Sequence, residues 1–332
     1  MSPARRQPAK VKPKPKAKPQ HVARVVEEAP WTEIPIFIHG ISPNRDPATC
    51  KKEYHELLSR VNKKLKLYNK SGFSRDAIFI TWGVPVVPAQ STGMDNYLAA
   101  AEREIRDKVK HVMGGAYGSG LTWFYSGIRD MIFYGVTDLF YYVSADGERT
   151  LRSHVFNYIA QQIQELDLDG KNRFSLTLFG HSAGSVISHD LLFHLFSQKH
   201  HTRSNEGDVF DSMNELRKLI ARGRLRIRRL YTFGSPISPL ILRADSLVKR
   251  FLDKKLLEPV DIGFGAADEL SNPRWVNFWT RHDLASYPVS FLYTNPNGEI
   301  LDQEVPSGFN PSSAHTGYWK QDEMAEGIAK TF

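Results

Sequence analysis

Cysteine is nearly absent from this chain of 332 residues. The one it has, Cys50, excludes an intramolecular disulfide and agrees with a reducing compartment. Long hydrophobic runs are missing as well. No stretch reaches the roughly 18 apolar residues that a membrane-spanning helix needs. The N-terminus has charges and prolines but not the apolar segment of a secretory signal. Acids are missing from residues 1–24, where Arg5, Arg6, Lys10, Lys12, Lys14, Lys16, Lys18 and Arg24 stand unopposed. These residues account for the whole net charge of +8, because the other 36 lysines and arginines equal the 36 acids. The basicity therefore belongs to a tail, and the remaining body is neutral.

Residues 1–30 are rich in Lys, Pro and Ala. The alternating Lys-Pro stretch from Val11 to Pro19 removes backbone donors and predicts an extended, disordered arm. Such an arm either solubilises the chain or tethers it to an anionic membrane or a nucleic acid. Order is expected from residue 31 to residue 332, as one domain. Ile34-Pro35-Ile36-Phe37-Ile38 is a short apolar run ending in His39-Gly40, the signature of a buried parallel strand. Residues 51–69 place Tyr54, Leu57, Leu58, Val61 and Leu65 at helical spacing. A second run, Ala77 to Trp82, stops at Gly83. Strand, helix, strand opens an α/β domain with a mostly parallel sheet.

Residues 84–142 interrupt that rhythm. They hold an expected helix (97–112), a joint with Gly114, Gly115, Gly118 and Gly120, and an aromatic stretch from Trp123 to Tyr142. Core packing is one reading of the aromatics. The other is a cap, hinged on the glycines, that lines an acyl pocket or touches a bilayer. The rhythm then resumes. Residues 148–167 predict an amphipathic helix, and Phe174–Phe179 a strand. A helix is expected over 183–196, with later strands at Arg226–Phe233, Trp275–Trp279 and Val289–Tyr293. No internal repeat is visible.

The strand at 174–179 runs into Gly180-His181-Ser182-Ala183-Gly184, and a helix leaves it. A serine nucleophile needs exposure, a base and donors for the oxyanion. A tight strand-to-helix turn lifts its hydroxyl above the sheet edge, and glycines two positions either side relieve the crowding. A chance G-x-S-x-G in this length has odds of roughly one in ten at ordinary Gly and Ser frequencies. The flanking strand and helix are what give the motif weight.

This order of elements resembles the α/β-hydrolase superfamily, particularly its lipase- and esterase-like serine hydrolases, over roughly residues 33–320. The resemblance implies an α/β-hydrolase fold with an inserted helical cap at about 84–142. It implies that His39-Gly40 forms the oxyanion loop and that the backbone N–H groups of Ile41 and Ala183 bind the oxyanion. His39 itself is better read as shaping that loop. The acid is implied to follow the strand Trp275–Trp279, which points to Asp283, with Asp302 and Asp261 as competitors. Relatives often carry Asp-Pro there, whereas this chain has Asp283-Leu284. The base is implied on a late loop, where His315 opens a His-x-x-Tyr pattern with Tyr318. His282 is the other candidate, but it sits beside Asp283 in sequence. The chain order Ser182, Asp283, His315 is the order of this fold.

Three other features attract attention. His189, His194, His200 and His201 fit no helical zinc spacing, and a solvated helix end is the expected reading. Gly234-Ser235-Pro236 lacks a second elbow glycine and reads as a strand-end turn near the active-site edge. Arg222, Arg224, Arg226, Arg228 and Arg229 alternate with Leu225 and Ile227, which on a strand gives an arginine face. That face is expected to be solvated or ion-paired; a site for anionic head groups is the sharper alternative.

The expectation is a serine hydrolase that cleaves a carboxylic ester, acyl or lipid-like, without cofactor or metal. Thioesterase, amidase or peptidase chemistry uses the same residues. A non-catalytic hydrolase-fold protein, working through its basic arm on anionic membrane or nucleic acid, is the rival of another class. The expected setting is cytoplasmic, or peripheral at a membrane. The sequence carries no sign of oligomeric state.

Overall fold

A computed structural model describes residues 30–40, 47–73, 77–80, 82, 142, 151–167, 170–197, 211–241, 249, 252–253, 256–264, 270–295, 297–306 and 311–332. The basic arm, Ile41, the expected helix at 97–112, its glycine joint, the insert up to Tyr142, and His200 and His201 lie outside the described residues.

The fold is α/β. Six strands form one all-parallel sheet: β1 (Trp31–Ile38), β2 (Ile78–Ile80), β3 (Arg173–His181), β4 (Leu225–Phe233), β5 (Trp275–Trp279) and β6 (Ile300–Glu304). Their order across the sheet is β2-β1-β3-β4-β5-β6. The main helices are α1 (Pro47–Leu67), α2 (Ser153–Glu165), α3 (Ala183–Phe196), α4 (Asp211–Ala221), α5 (Ile237–Ile241), α6 (Pro311–Thr316) and α7 (Asp322–Thr331). Among the described residues, no helix is long and apolar enough to cross a membrane.

Strand side chains alternate between faces, so one apolar run feeds two cores. Ile36, Ile38, Leu176, Leu178 and Leu230 join α2, α3 and α4 on one side. Phe37, Phe179, Tyr231, Phe233 and Phe278 join α1 and α7 on the other. This double burial is why β3 is buried from Phe174 to His181 even though Ser175 and Thr177 alternate with its apolar residues.

The chain steps outward from β1 to β2, then returns across β1 to β3. Strand order therefore reverses between β1 and β3, and the crevice beyond their carboxyl ends is where open α/β sheets bind ligands. His39-Gly40 ends one of these strands and His181-Ser182 the other.

Two parts of the sheet differ from expectation. Val289–Tyr293 is not a strand: Ser290–Leu292 is a short 3-10 turn. The N–H groups of Val289 and Ser290 donate to the Asp302 carboxylate, at 2.8 and 2.9 Å, instead of joining a ladder. The sixth strand is β6, which carries Asp302 itself. A register shift opposite Leu176/Thr177 also interrupts the two-residue alternation in β4, so that Arg226 and Arg229 lie opposite Ser175 and Thr177 on one face. Arg229 is buried and donates to the Thr331 carbonyl and Ser271. Arg224 pairs with Asp167 at 2.5 Å, and Arg228 with Glu33 at 3.3 Å. Arg226 lies over Trp31, 4.1 Å from its ring centre. Arg224 and Arg228 are thus ion-paired, as expected for this segment, and Arg229 is buried.

Candidate active site

The site begins with a backbone that only close packing can hold. Ser182 links β3 to α3 with φ 53° and ψ −126°. Positive φ is unfavourable for a residue with a Cβ, and such strain concentrates at functional sites. The turn is pinned at both peptide groups. Ser182 N–H donates to the Phe233 carbonyl at 2.9 Å, and Ser185 N–H donates to the Ser182 carbonyl at 2.9 Å.

Two glycines let the neighbouring chain approach. A Cβ on Gly184 would lie 2.1 Å from the Ile38 carbonyl oxygen and 2.5 Å from that of His39. A Cβ on Gly40 would lie 2.5 Å from Ser182 Cβ and 3.1 Å from its Oγ. The end of β1 thus presses directly on the serine turn.

Ser182 Oγ is 2.9 Å from His315 Nε2. His315 sits on α6, and its Nδ1 is 2.9 and 3.0 Å from the two oxygens of Asp283. Asp283 follows β5 and its side chain is wholly buried. A carboxylate only accepts, so Nδ1 carries the ring proton and Nε2 is left to accept from the serine hydroxyl. Among the competitors, Asp302 accepts from Asn277, Val289 and Ser290. Asp261 closes a capping box with Glu258, and His282 is exposed. The acid that meets the His315 ring is Asp283.

The buried carboxylate has further donors. Ala285 N–H donates to Asp283 Oδ1 at 2.9 Å, and the Tyr318 hydroxyl donates to Oδ2 at 3.0 Å. Burial, reinforced by the Asp283 charge, raises the Tyr318 pKa well above its ordinary value, so the hydroxyl stays protonated. The His-x-x-Tyr spacing was the signal that could have identified this donor. His181 is a second residue that sequence reasoning left inside the motif: its ring packs against His315 and Trp319.

His39 is buried, its Nδ1 bonded to the Gly40 carbonyl. Its Nε2 accepts from the Trp82 backbone N–H at 3.1 Å, while Trp82 Nε1 donates to the His39 carbonyl at 2.6 Å. Ala183 is the first residue of α3, immediately after the serine. Ile41, the other expected oxyanion donor, lies outside the described residues.

The helix histidines depart from expectation. His189 packs against Trp275 and hydrogen-bonds the Tyr293 hydroxyl; burial pushes its pKa down to about 4. His194 pairs with Asp190, which also meets Arg152 and Tyr142 at 2.7 Å. His194 is buried and His189 half-buried, because α3 is covered by the sheet on one side and by α4 beside it. Among the described residues, no cluster of His, Cys, Asp and Glu is arranged to hold a metal ion. The turn at Ser235 is also fully buried, with Ser185 Oγ 2.8 Å from its hydroxyl.

No protein-family model and no curated protein matches this chain. The geometry of the site is therefore the basis for a functional reading.

Proposed function

We propose that the chain is a serine hydrolase of the α/β-hydrolase type that cleaves a carboxylic ester through an acyl-enzyme. The observation that carries this reading is the unbroken line Ser182 Oγ, His315 Nε2, His315 Nδ1, Asp283 at hydrogen-bond distances. A strained turn at the topological switch point holds its first member.

In this mechanism Ser182 Oγ attacks the ester carbonyl carbon while His315 Nε2 takes the hydroxyl proton. The carbonyl π pair moves to oxygen, and the Ala183 N–H at the start of α3 receives the oxyanion. The second donor is assigned to Ile41. One such donor contributes roughly 3–4 kcal/mol to the transition state. The intermediate collapses, the alkoxide leaves with the proton from His315, and an acyl-serine remains. Water then repeats the sequence, giving its proton to His315 and releasing the acid. Asp283 stays ionised throughout and stabilises the imidazolium. Each proton in the cycle moves between serine, histidine, substrate and water.

The ester assignment, and an acyl or lipid-like substrate, rest on the sequence resemblance and on the aromatic insert. The test is turnover of p-nitrophenyl esters of increasing acyl length, beside a matching thioester and anilide. Wild-type is expected to cleave esters fastest and His315→Ala to cleave none above background. Faster thioester or anilide cleavage replaces the ester assignment. Equal rates for wild-type and His315→Ala overturn the mechanism.

A further inference from the structure

The proposed mechanism does not use His181, yet this buried imidazole touches the base rather than the nucleophile. Its Nε2 is 2.9 Å from the backbone carbonyl oxygen of His315. His181 and His315 are 7% and 9% exposed, so the contact is made largely away from water. The last carbonyls of a helix have no partner within it, and α6 is only six residues long with His315 next to its end. His181 supplies a donor to one of those carbonyls.

The ring cannot drift from that position. Phe233 stacks on it at 5.3 Å with planes 25° apart, and Trp319 meets it edge-on at 4.9 Å. The His315 ring itself lies 4.9 Å away. His181 is also the last residue of β3, paired in the sheet with Phe233. It thus belongs to the central sheet and stands next to Ser182 in the chain. The bond from His181 to His315 ties the backbone of the base to the strand that carries the nucleophile.

We propose that His181 is a positioning residue that sets the distance between His315 and Ser182 by donating Nε2–H to the His315 carbonyl. This rests on the serine-hydrolase reading. A carbonyl only accepts, so His181 must carry a proton on Nε2. Removing the donor leaves a buried carbonyl unmatched and frees α6 to shift. Small misplacements of reacting groups cost on the order of 100-fold in rate.

The experiment compares the full-length wild-type with His181→Leu, which keeps bulk but no donor, and His181→Gln, whose amide restores one. Readouts are the rate of labelling by a fluorophosphonate and the kcat and KM for p-nitrophenyl butyrate. His181→Leu is expected to label and turn over about 10- to 100-fold more slowly with KM little changed. His181→Gln should recover most of that loss. Equal rates for wild-type and His181→Leu overturn the proposal, as does equal impairment of both variants with native far-UV circular dichroism. A second measurement needs no leucine variant: 15N chemical shifts of the wild-type histidines, with His181→Gln assigning the signal. A proton on Nε2 supports the proposal, and an unprotonated Nε2 overturns it. Ser182→Ala is measured in parallel. If it labels as fast as wild-type, the hydrolase reading itself has failed. If it does not label but His181→Leu labels normally, only the role of His181 has failed.

Discussion

Ser182, His315 and Asp283 form one line of hydrogen bonds, and in the proposed mechanism each loss acts on it differently. Asp283→Asn keeps the shape of the acid but turns an acceptor into a mixed group, which permits the wrong tautomer of His315. A fall in kcat on the order of 10^4-fold is expected, with an unchanged fold by circular dichroism. Tyr318→Phe removes one of the donors that hold the Asp283 carboxylate while leaving Ala285 N–H and His315 in place. Roughly tenfold lower kcat with unaltered KM for p-nitrophenyl butyrate is the expected result. A loss as large as that of Asp283→Asn would mean that Tyr318 does more than orient the acid. At Gly40 the spacing is set by contact: an added Cβ meets Ser182 Cβ at 2.5 Å. Gly40→Ala should therefore slow labelling of the serine before it affects the melting temperature.

At the scale of elements, the decisive unit is β3, its turn and α3. This unit was legible in the sequence because each part has a local signal. Phe174, Leu176, Leu178 and Phe179 mark the strand, G-x-S-x-G marks the turn, and α3 begins at Ala183 as expected. His315 and Asp283 were legible by their place in the resemblance, and the hydrogen bonds between them were not. What escaped was set by partners rather than by pattern. β6 (Ile300–Glu304) is an edge strand with polar Asp302, Gln303 and Glu304, so its apolar signal is weak. Val289–Tyr293 has β-branched and aromatic residues but gives two backbone donors to Asp302. The arginines of β4 alternate in sequence until the register shift, which sets Arg226 and Arg229 opposite Ser175 and Thr177 on one face of the sheet. α7 hides because Ala325 and Ala329 fill much of its buried stripe. Packing between elements also sets the prediction for Gly184→Ala. The new methyl would meet the Ile38 carbonyl at 2.1 Å, so β1 and α3 must move apart. A stability loss of about 1–3 kcal/mol or more is expected from denaturant unfolding; an unaltered midpoint would contradict the close packing of β1 against the serine turn.

Taken as a whole, the molecule places the candidate site where the strand order reverses, and α3 carries a second set of titrating groups. Desolvation pushes the pKa of the half-buried His189 down to about 4, whereas an unfolded histidine titrates near 6.5. Between those values the unfolded chain binds the extra proton and the folded chain does not. Stability from this group is thus full above about pH 6.5 and is lost as the pH falls toward 4. Burial opposes the charge of Asp190, but His194, Arg152 and Tyr142 together outweigh it and hold the carboxyl below the ordinary carboxylate range. Asp190 therefore adds a loss of stability at lower pH. Melting temperature measured against pH should fall through the first window, and His189→Gln should flatten that part of the curve. An equal slope in the variant would place the acid sensitivity elsewhere.

The central claim is that Ser182 is a nucleophile activated by His315. The most direct measurement is mass spectrometry of the full-length chain after treatment with a fluorophosphonate. A single adduct on the peptide containing Ser182, absent from Ser182→Ala and strongly slowed in His315→Ala, is the predicted result. No adduct on the wild-type, or the same adduct yield from Ser182→Ala, would contradict it.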